Sequence, residues 1–169
     1  MISNSKPDTR QYPYLTFSSL KVGDSFVLGE HIMAREEVIA FAQRFDPQPF
    51  HLGDEAAAAH AFFDRLAASG WHTAAVMNIL VGPFYERTSI KGLAGGGVEK
   101  LIWAKPVYAD DILHMNMEIV EIRPSGSKPH LGFITMRVQA HNQDDELVSY
   151  MTITGVFDTG IQPTSSSVD

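Results

Sequence analysis

Between Ser69 and Gly82-Pro83 the chain reads Gly-Trp-His-Thr-Ala-Ala-Val-Met-Asn-Ile-Leu-Val, a helix-length segment that is apolar on nearly every face. Only His72, Thr73 and Asn78 interrupt it. It falls short of the roughly 20 apolar residues that a membrane helix requires, so it belongs inside a fold. Ser69 is its candidate N-cap, and Gly82-Pro83 its expected stop. The rest of the chain must therefore supply a cover for one central, buried helix.

The cover is legible after Gly97, where the period changes to two. Leu113, Met115, Met117 and Ile119 alternate with polar neighbours, as do Ile134, Met136, Val138 and Ala140. A further strand, Leu147 to Phe157, follows the polar turn Asn142 to Glu146, which suits an antiparallel hairpin. Segments at Val98–Ala104 and Ser25–Met33 add two more. Strands joined by hairpin-type links favour an antiparallel sheet. The expected class is α+β, a curved antiparallel sheet wrapped around the central helix.

Ahead of that helix, Val38, Phe41, Ala42 and Phe45 recur at helical spacing within Arg35–Phe45, and Glu36 and Glu37 sit in the first turn. This helix must end before Asp46-Pro47-Gln48-Pro49, because two prolines and the restricted residues ahead of them cannot continue it. A stiff corner leads to Phe50-His51, and the alanine-rich stretch Asp54 to Leu66 is expected to form another helix. One domain is expected over residues 15–158, with polar Ser- and Pro-containing tails at 1–14 and 159–169.

Composition narrows the chemistry. The absence of cysteine removes thiolate catalysis and thiolate zinc sites. A net charge of -7 repels a nucleic-acid backbone, and no basic run offsets it. No apolar run has the length of a membrane span, and the first residues lack the apolar core of a signal peptide, so a cytoplasmic location is expected. No metal site is expected either, since His114 falls on the polar face of a strand, His130 and His141 fall near loops, and His31 and His60 lack an acidic partner at ligand spacing. The run Gly95-Gly96-Gly97 lacks the Lys-Ser/Thr of a phosphate loop and reads as a bend entering a strand.

The strongest candidate for chemistry is the pair Asp46 and His51. Five residues apart across the proline corner, a carboxylate and an imidazole are held with little freedom left to lose, a good placement for paired proton transfer. Spacing alone leaves the alternative that Asp46 ends a helix and His51 is an ordinary loop histidine.

The stretch Asp46-Pro47-Gln48-Pro49-Phe50-His51 resembles the D-x-N-P-x-H signature of the MaoC-like (R)-specific enoyl-CoA hydratases. The resemblance extends through the following alanine-rich segment, the helix-opening Gly70, and Trp103-Ala104-Lys105-Pro106-Val107. It covers about Phe17 to Phe157. It departs at Gln48, where the motif usually has Asn, and at Ser69-Gly70-Trp71, where many hydratases have His-Gly and an aliphatic residue. Asn78 stands where typical members carry a serine.

The resemblance implies a hot-dog fold and an acyl-CoA substrate with no other cofactor. It implies that Asp46 and His51 activate a water that adds to a trans-2-enoyl thioester, giving the (R)-3-hydroxyacyl product. The backbone N–H of Gly70 would stabilise the enolate. Ser69, Trp71, His72 and Asn78 become candidate substrate-binding residues, although an aromatic at the start of a buried helix is more often core. Lys128 and Arg123 are candidates for the CoA phosphates, and a homodimer with sheets joined edge to edge is implied. A hot-dog thioesterase and a non-catalytic acyl-thioester-binding subunit are the alternatives. Retention of both Asp46 and His51 favours the hydratase.

Overall fold

A computed structural model describes residues 14–162. The greater part of both expected tails, residues 1–13 and 163–169, lies outside the described residues. The elements run β1 (Ser25–Ile32), α1 (Arg35–Phe45), α2 (Asp54–Ala58), α3 (Gly70–Glu86), β2 (Gly92–Trp103), β3 (Ile112–Pro124), β4 (Leu131–His141) and β5 (Leu147–Asp158). The five strands form one sheet in the order β1-β3-β4-β5-β2, with every neighbouring pair antiparallel. This is the expected α+β arrangement, a curved sheet around α3.

Period-two alternation places the core where the sequence put it. Leu113, Met115, Met117 and Ile119 of β3, and Ile134, Met136, Val138 and Ala140 of β4, are buried and meet Val76, Met77, Val81 and Phe84 of α3. Apolar area withdrawn from water on that shared face is the main stabilising term. On the far face polar side chains pair across strands, Arg137 with Glu118 near solvent (3.1 Å) and Thr135, itself buried, with Thr154 (2.8 Å).

Three expectations are corrected. First, α3 does not stop at Gly82-Pro83 but runs to Glu86. Proline removes one helical donor, yet Phe84, the next residue, is buried and packs at a tilt against Phe26 of β1 with ring centroids 5.0 Å apart, so packing carries the helix past it. Arg87 then closes the end, its Nε donating to the Pro83 carbonyl (3.1 Å).

Second, α2 ends at Ala58 instead of reaching Leu66. The Leu66 amide donates to the Asp54 carboxylate (2.9 Å) and not to a helical carbonyl, and Asp54 also pairs with Arg35. The intervening Phe63 and His60 rings stack on each other and on Phe50.

Third, β2 begins at Gly92, so the glycine run lies inside a strand. The register against β5 shifts at Gly92/Ala94, Gly95/Gly97 and Val98/Lys100. Each shift adds a bulge that bends the strand. Gly97 has φ +154°, and a Cβ on Gly96 would lie 2.9 Å from the Thr154 carbonyl oxygen, so neither position favours a side chain.

α3 is also less enclosed than its apolar sequence implies. The sheet covers one side, leaving Trp71 and Ile79 exposed on the other, and β2 exposes Leu93, Val98 and Ile102 along the sheet's edge.

Candidate functional site

Asp46 is the C-cap of α1, where its own amide donates to Ala42 O before Pro47 ends the helix. Pro49 to His51 form a single 3-10 turn that carries His51 back toward it. The two side chains meet as expected, His51 Nε2 lying 3.5 Å from Asp46 Oδ2.

His51 is only 6% exposed, and its Nδ1 is 2.8 Å from the Ala67 carbonyl. A carbonyl can only accept, so Nδ1 carries a proton and donates it there, which turns Nε2 toward the carboxylate. The segment that supplies this carbonyl is itself held on several sides. Ala67 N donates to Phe50 O (3.3 Å), Ala68 N to Val107 O (2.8 Å), and Ala109 N to Leu66 O (3.0 Å).

Asp46 receives a donor on each oxygen, Gln48 Nε2 on Oδ1 (2.9 Å) and Ser69 Oγ on Oδ2 (2.7 Å). Burial on its own raises this carboxyl's pKa. The hydrogen bonds from Gln48 and Ser69, with nearby His51, outweigh that and hold Asp46 below the ordinary carboxylate value. The group is thus an oriented carboxylate facing His51 Nε2.

Both open into a cavity of about 400 Å³ whose walls include Gly70, Trp71, Thr73, Phe63, Trp103, Val107 and Val148. Gly70 is the first residue of α3, where the amide has no intrahelical acceptor and the helix dipole favours negative charge. A Cβ there would lie 2.5 Å from Trp103 Cε2 and 2.7 Å from Cδ2, so the Trp103 ring demands glycine. Trp71 stands edge-on to Trp103 at 5.3 Å and is 60% exposed, a cavity wall and not a core residue.

The remaining candidates lie elsewhere. Ser69 is fully buried and engaged by Asp46 and the Trp71 amide (3.2 Å), so its hydroxyl serves the carboxylate and is not presented to a ligand. His72 turns away from the cavity. Its ring stacks on Phe41 at 4.6 Å, and its Nε2 lies 3.4 Å from Glu37 Oε1. Burial lowers its pKa, a shift that Glu37 opposes only in part. Glu37 also meets His31 Nε2 (3.2 Å), an acidic partner for His31 that its own spacing did not disclose.

Asn78 lines a second cavity of about 650 Å³ between the later turns of α3 and the glycine-rich part of β2, away from Asp46 and His51. Lys128 and Arg123 do not border the first cavity, and Arg123 lies over the Phe133 ring at 4.3 Å. Lys105 does border it, at the rim, with Nζ 2.5 Å from Glu146 Oε1.

Sequence reasoning missed the walls Phe63, Thr73 and Trp103. It also missed the clamp on Asp46, of which only Gln48, two residues away, left a signal in the spacing. Among the described residues, no group of three or more histidine or acidic side chains is placed to hold a metal ion, and no helix is long and apolar enough to cross a membrane.

A curved antiparallel sheet around one glycine-opened helix, with a proline corner carrying Asp46 and His51 beside the helix start, is a hot-dog architecture. The chain belongs to the MaoC-like domain family, which it matches over residues 9–141. The crystal structure of a MaoC-like dehydratase from Rhodospirillum rubrum is 36% identical and superposes with a TM-score of 0.74, covering 85% of this chain and 97% of that one. An (R)-hydratase from A. caviae involved in PHA biosynthesis is 25% identical with a TM-score of 0.62, covering 81% and 96%. YdeM of Bacillus subtilis, itself uncharacterised, is 28% identical over 129 residues, 72% of this chain and 88% of its own length.

Proposed function

We propose that the protein is an acyl-thioester hydratase or dehydratase that adds water to a trans-2-enoyl-CoA, giving the (R)-3-hydroxyacyl-CoA, or runs the reverse. The observation that carries this reading is the placement of Asp46 Oδ2 and His51 Nε2, 3.5 Å apart on the wall of a cavity that also holds the start of α3. With the imidazole in its neutral form, a water donating one O–H to each atom satisfies both.

In that position the water oxygen is the nucleophile. It attacks the β-carbon as one of its protons passes to the pair, and the pair returns a proton from the same side to the α-carbon, so that addition is syn. Negative charge moves onto the thioester oxygen, where the Gly70 amide at the positive end of α3 is the donor. The mechanism as drawn uses no cofactor besides the CoA carried by the substrate.

The (R)-hydratase relative, the MaoC-like family and the retained Asp46/His51 pair all support this reading. A cytoplasmic homodimer completes it, in which β2, the outer strand with exposed Leu93, Val98 and Ile102, joins that of a second copy and covers an otherwise bare edge.

The test is the loss of ultraviolet enoyl-thioester absorbance with crotonyl-CoA. Asp46→Asn and His51→Ala are each expected to lower kcat on the order of 10²–10⁴-fold while the fold is kept. Wild-type rates in both variants, or release of free CoA in place of hydration, would overturn the assignment.

A further inference from the structure

The two departures from the hydratase motif, Gln48 and Ser69, lie 21 positions apart in the sequence and meet on one carboxylate. The longer Gln48 arm reaches Asp46 Oδ1 at 2.9 Å, and Ser69 Oγ reaches Oδ2 at 2.7 Å. Ser69 is 0% exposed, so its hydroxyl has no water to turn to. It already accepts from the Trp71 amide at 3.2 Å, and its single proton is directed to Asp46. Its own carbonyl accepts the Thr73 amide (3.0 Å), the first turn of α3.

We propose that Ser69 and Gln48 form a matched positioning clamp. Together they fix the Asp46 carboxylate with one lone pair of Oδ2 facing His51, and Ser69 ties that carboxylate to the helix start that carries Gly70. The clamp rests on the hydratase reading and extends it. One hydroxyl sets the spacing between the water-activating pair and the enolate donor, because Ser69 bonds the first and precedes the second in the chain. Neither Ser69 nor Gln48 touches the reacting atoms, so both are positioning residues.

The charged surroundings leave this work to the clamp. Around Asp46, His51 is the titratable group on the 3-10 turn. Arg44 of α1 lies over the Phe45 ring, Lys105 at the cavity rim is held by Glu146, and His72 in the first turn of α3 faces Glu37. Burial favours the protonated carboxyl, and the two donated hydrogen bonds are what oppose it alongside His51. Removing either donor therefore raises the Asp46 pKa.

The test measures kcat, KM and the pH profile of crotonyl-CoA hydration in the intact protein. The variants are Ser69→Ala and Gln48→Leu, with Asp46→Asn beside them. Ser69→Ala is expected to lower kcat about ten- to a hundredfold, the size of one hydrogen bond to a charged group, with KM little changed. The acidic limb of kcat/KM is expected to move to higher pH. Gln48→Leu, at an exposed position where folding is not at stake, is expected to move the limb the same way by less.

Acidic limbs that stay in place in Gln48→Leu and in any folded Ser69→Ala overturn the clamp, even if Ser69→Ala lowers the melting temperature, since a purely structural cap would do only that. An inactive Asp46→Asn beside unmoved limbs places the failure in the clamp alone. Parental turnover in Asp46→Asn overturns the hydratase reading and the clamp with it.

Discussion

Substituting Gly70 by alanine tests whether the Trp103 ring sets the shape of the site. The new Cβ would lie 2.5, 2.7 and 2.9 Å from three atoms of one ring, Cε2, Cδ2 and Nε1, and contacts that short force a neighbour to move. Overpacking of this kind costs about 1–3 kcal/mol. Trp103 is 47% exposed on an edge strand and can swing outward, which favours the lower part of that range. Alanine's better helix propensity returns only part of the cost, because residue 70 opens the helix and is not in its interior.

A net loss of about 1–2 kcal/mol corresponds to a fall in Tm of about 2–8 °C for a chain of this size. The displaced ring is also a cavity wall, and a shift of about 1 Å there is enough to lower turnover by up to about 10²-fold. Thermal denaturation and crotonyl-CoA hydration of Gly70→Ala, Trp103→Ala and the double variant form a cycle whose coupling should exceed about 0.5 kcal/mol. Additive stabilities, or a Gly70→Ala protein as stable as the parent, would refute the steric reasoning.

Two further outcomes follow from the packing. His72 has a folded pKa below its ordinary value of 6.5, so the unfolded chain takes up its proton first as pH falls. The stability it contributes is present above the unfolded value and is lost on acidification through the folded one. Urea titrations should show a shallower loss of stability below pH 6.5 in His72→Phe, and an unchanged slope would contradict this. Val98→Glu places a charge on the exposed edge strand and should convert a dimer to a monomer in light scattering, whereas an unaltered dimer mass would place the interface elsewhere.

What the sequence disclosed was set by range. Asp46 and His51 were readable because two prolines between them leave the backbone few choices, and β3 and β4 because alternation is a local signal. Pro83 misled because its local cost is overridden by the burial of Phe84, a contact with β1 that no nearby residue announces. The Ala59–Arg65 stretch misled for the opposite reason: alanine favours a helix, but Asp54 claims the Leu66 amide. The clamp was half legible, since Gln48 lies beside Asp46 while Ser69 reaches it only through the fold. The walls Trp103 and Phe63 come from separate elements, and only packing selects them.

The carbonyl of Ala67 that holds His51 belongs to a segment stitched to the 3-10 turn on one side and to Val107–Ala109 on the other. The His51 imidazole is thus held by a segment tied into the body on both sides. Displacing that segment means breaking three main-chain bonds and exposing Ala67, Ala68 and Leu66, which are all buried. On heating, activity and the far-ultraviolet circular-dichroism signal are therefore expected to fall together, whereas activity lost well before the signal would mean that this segment opens locally.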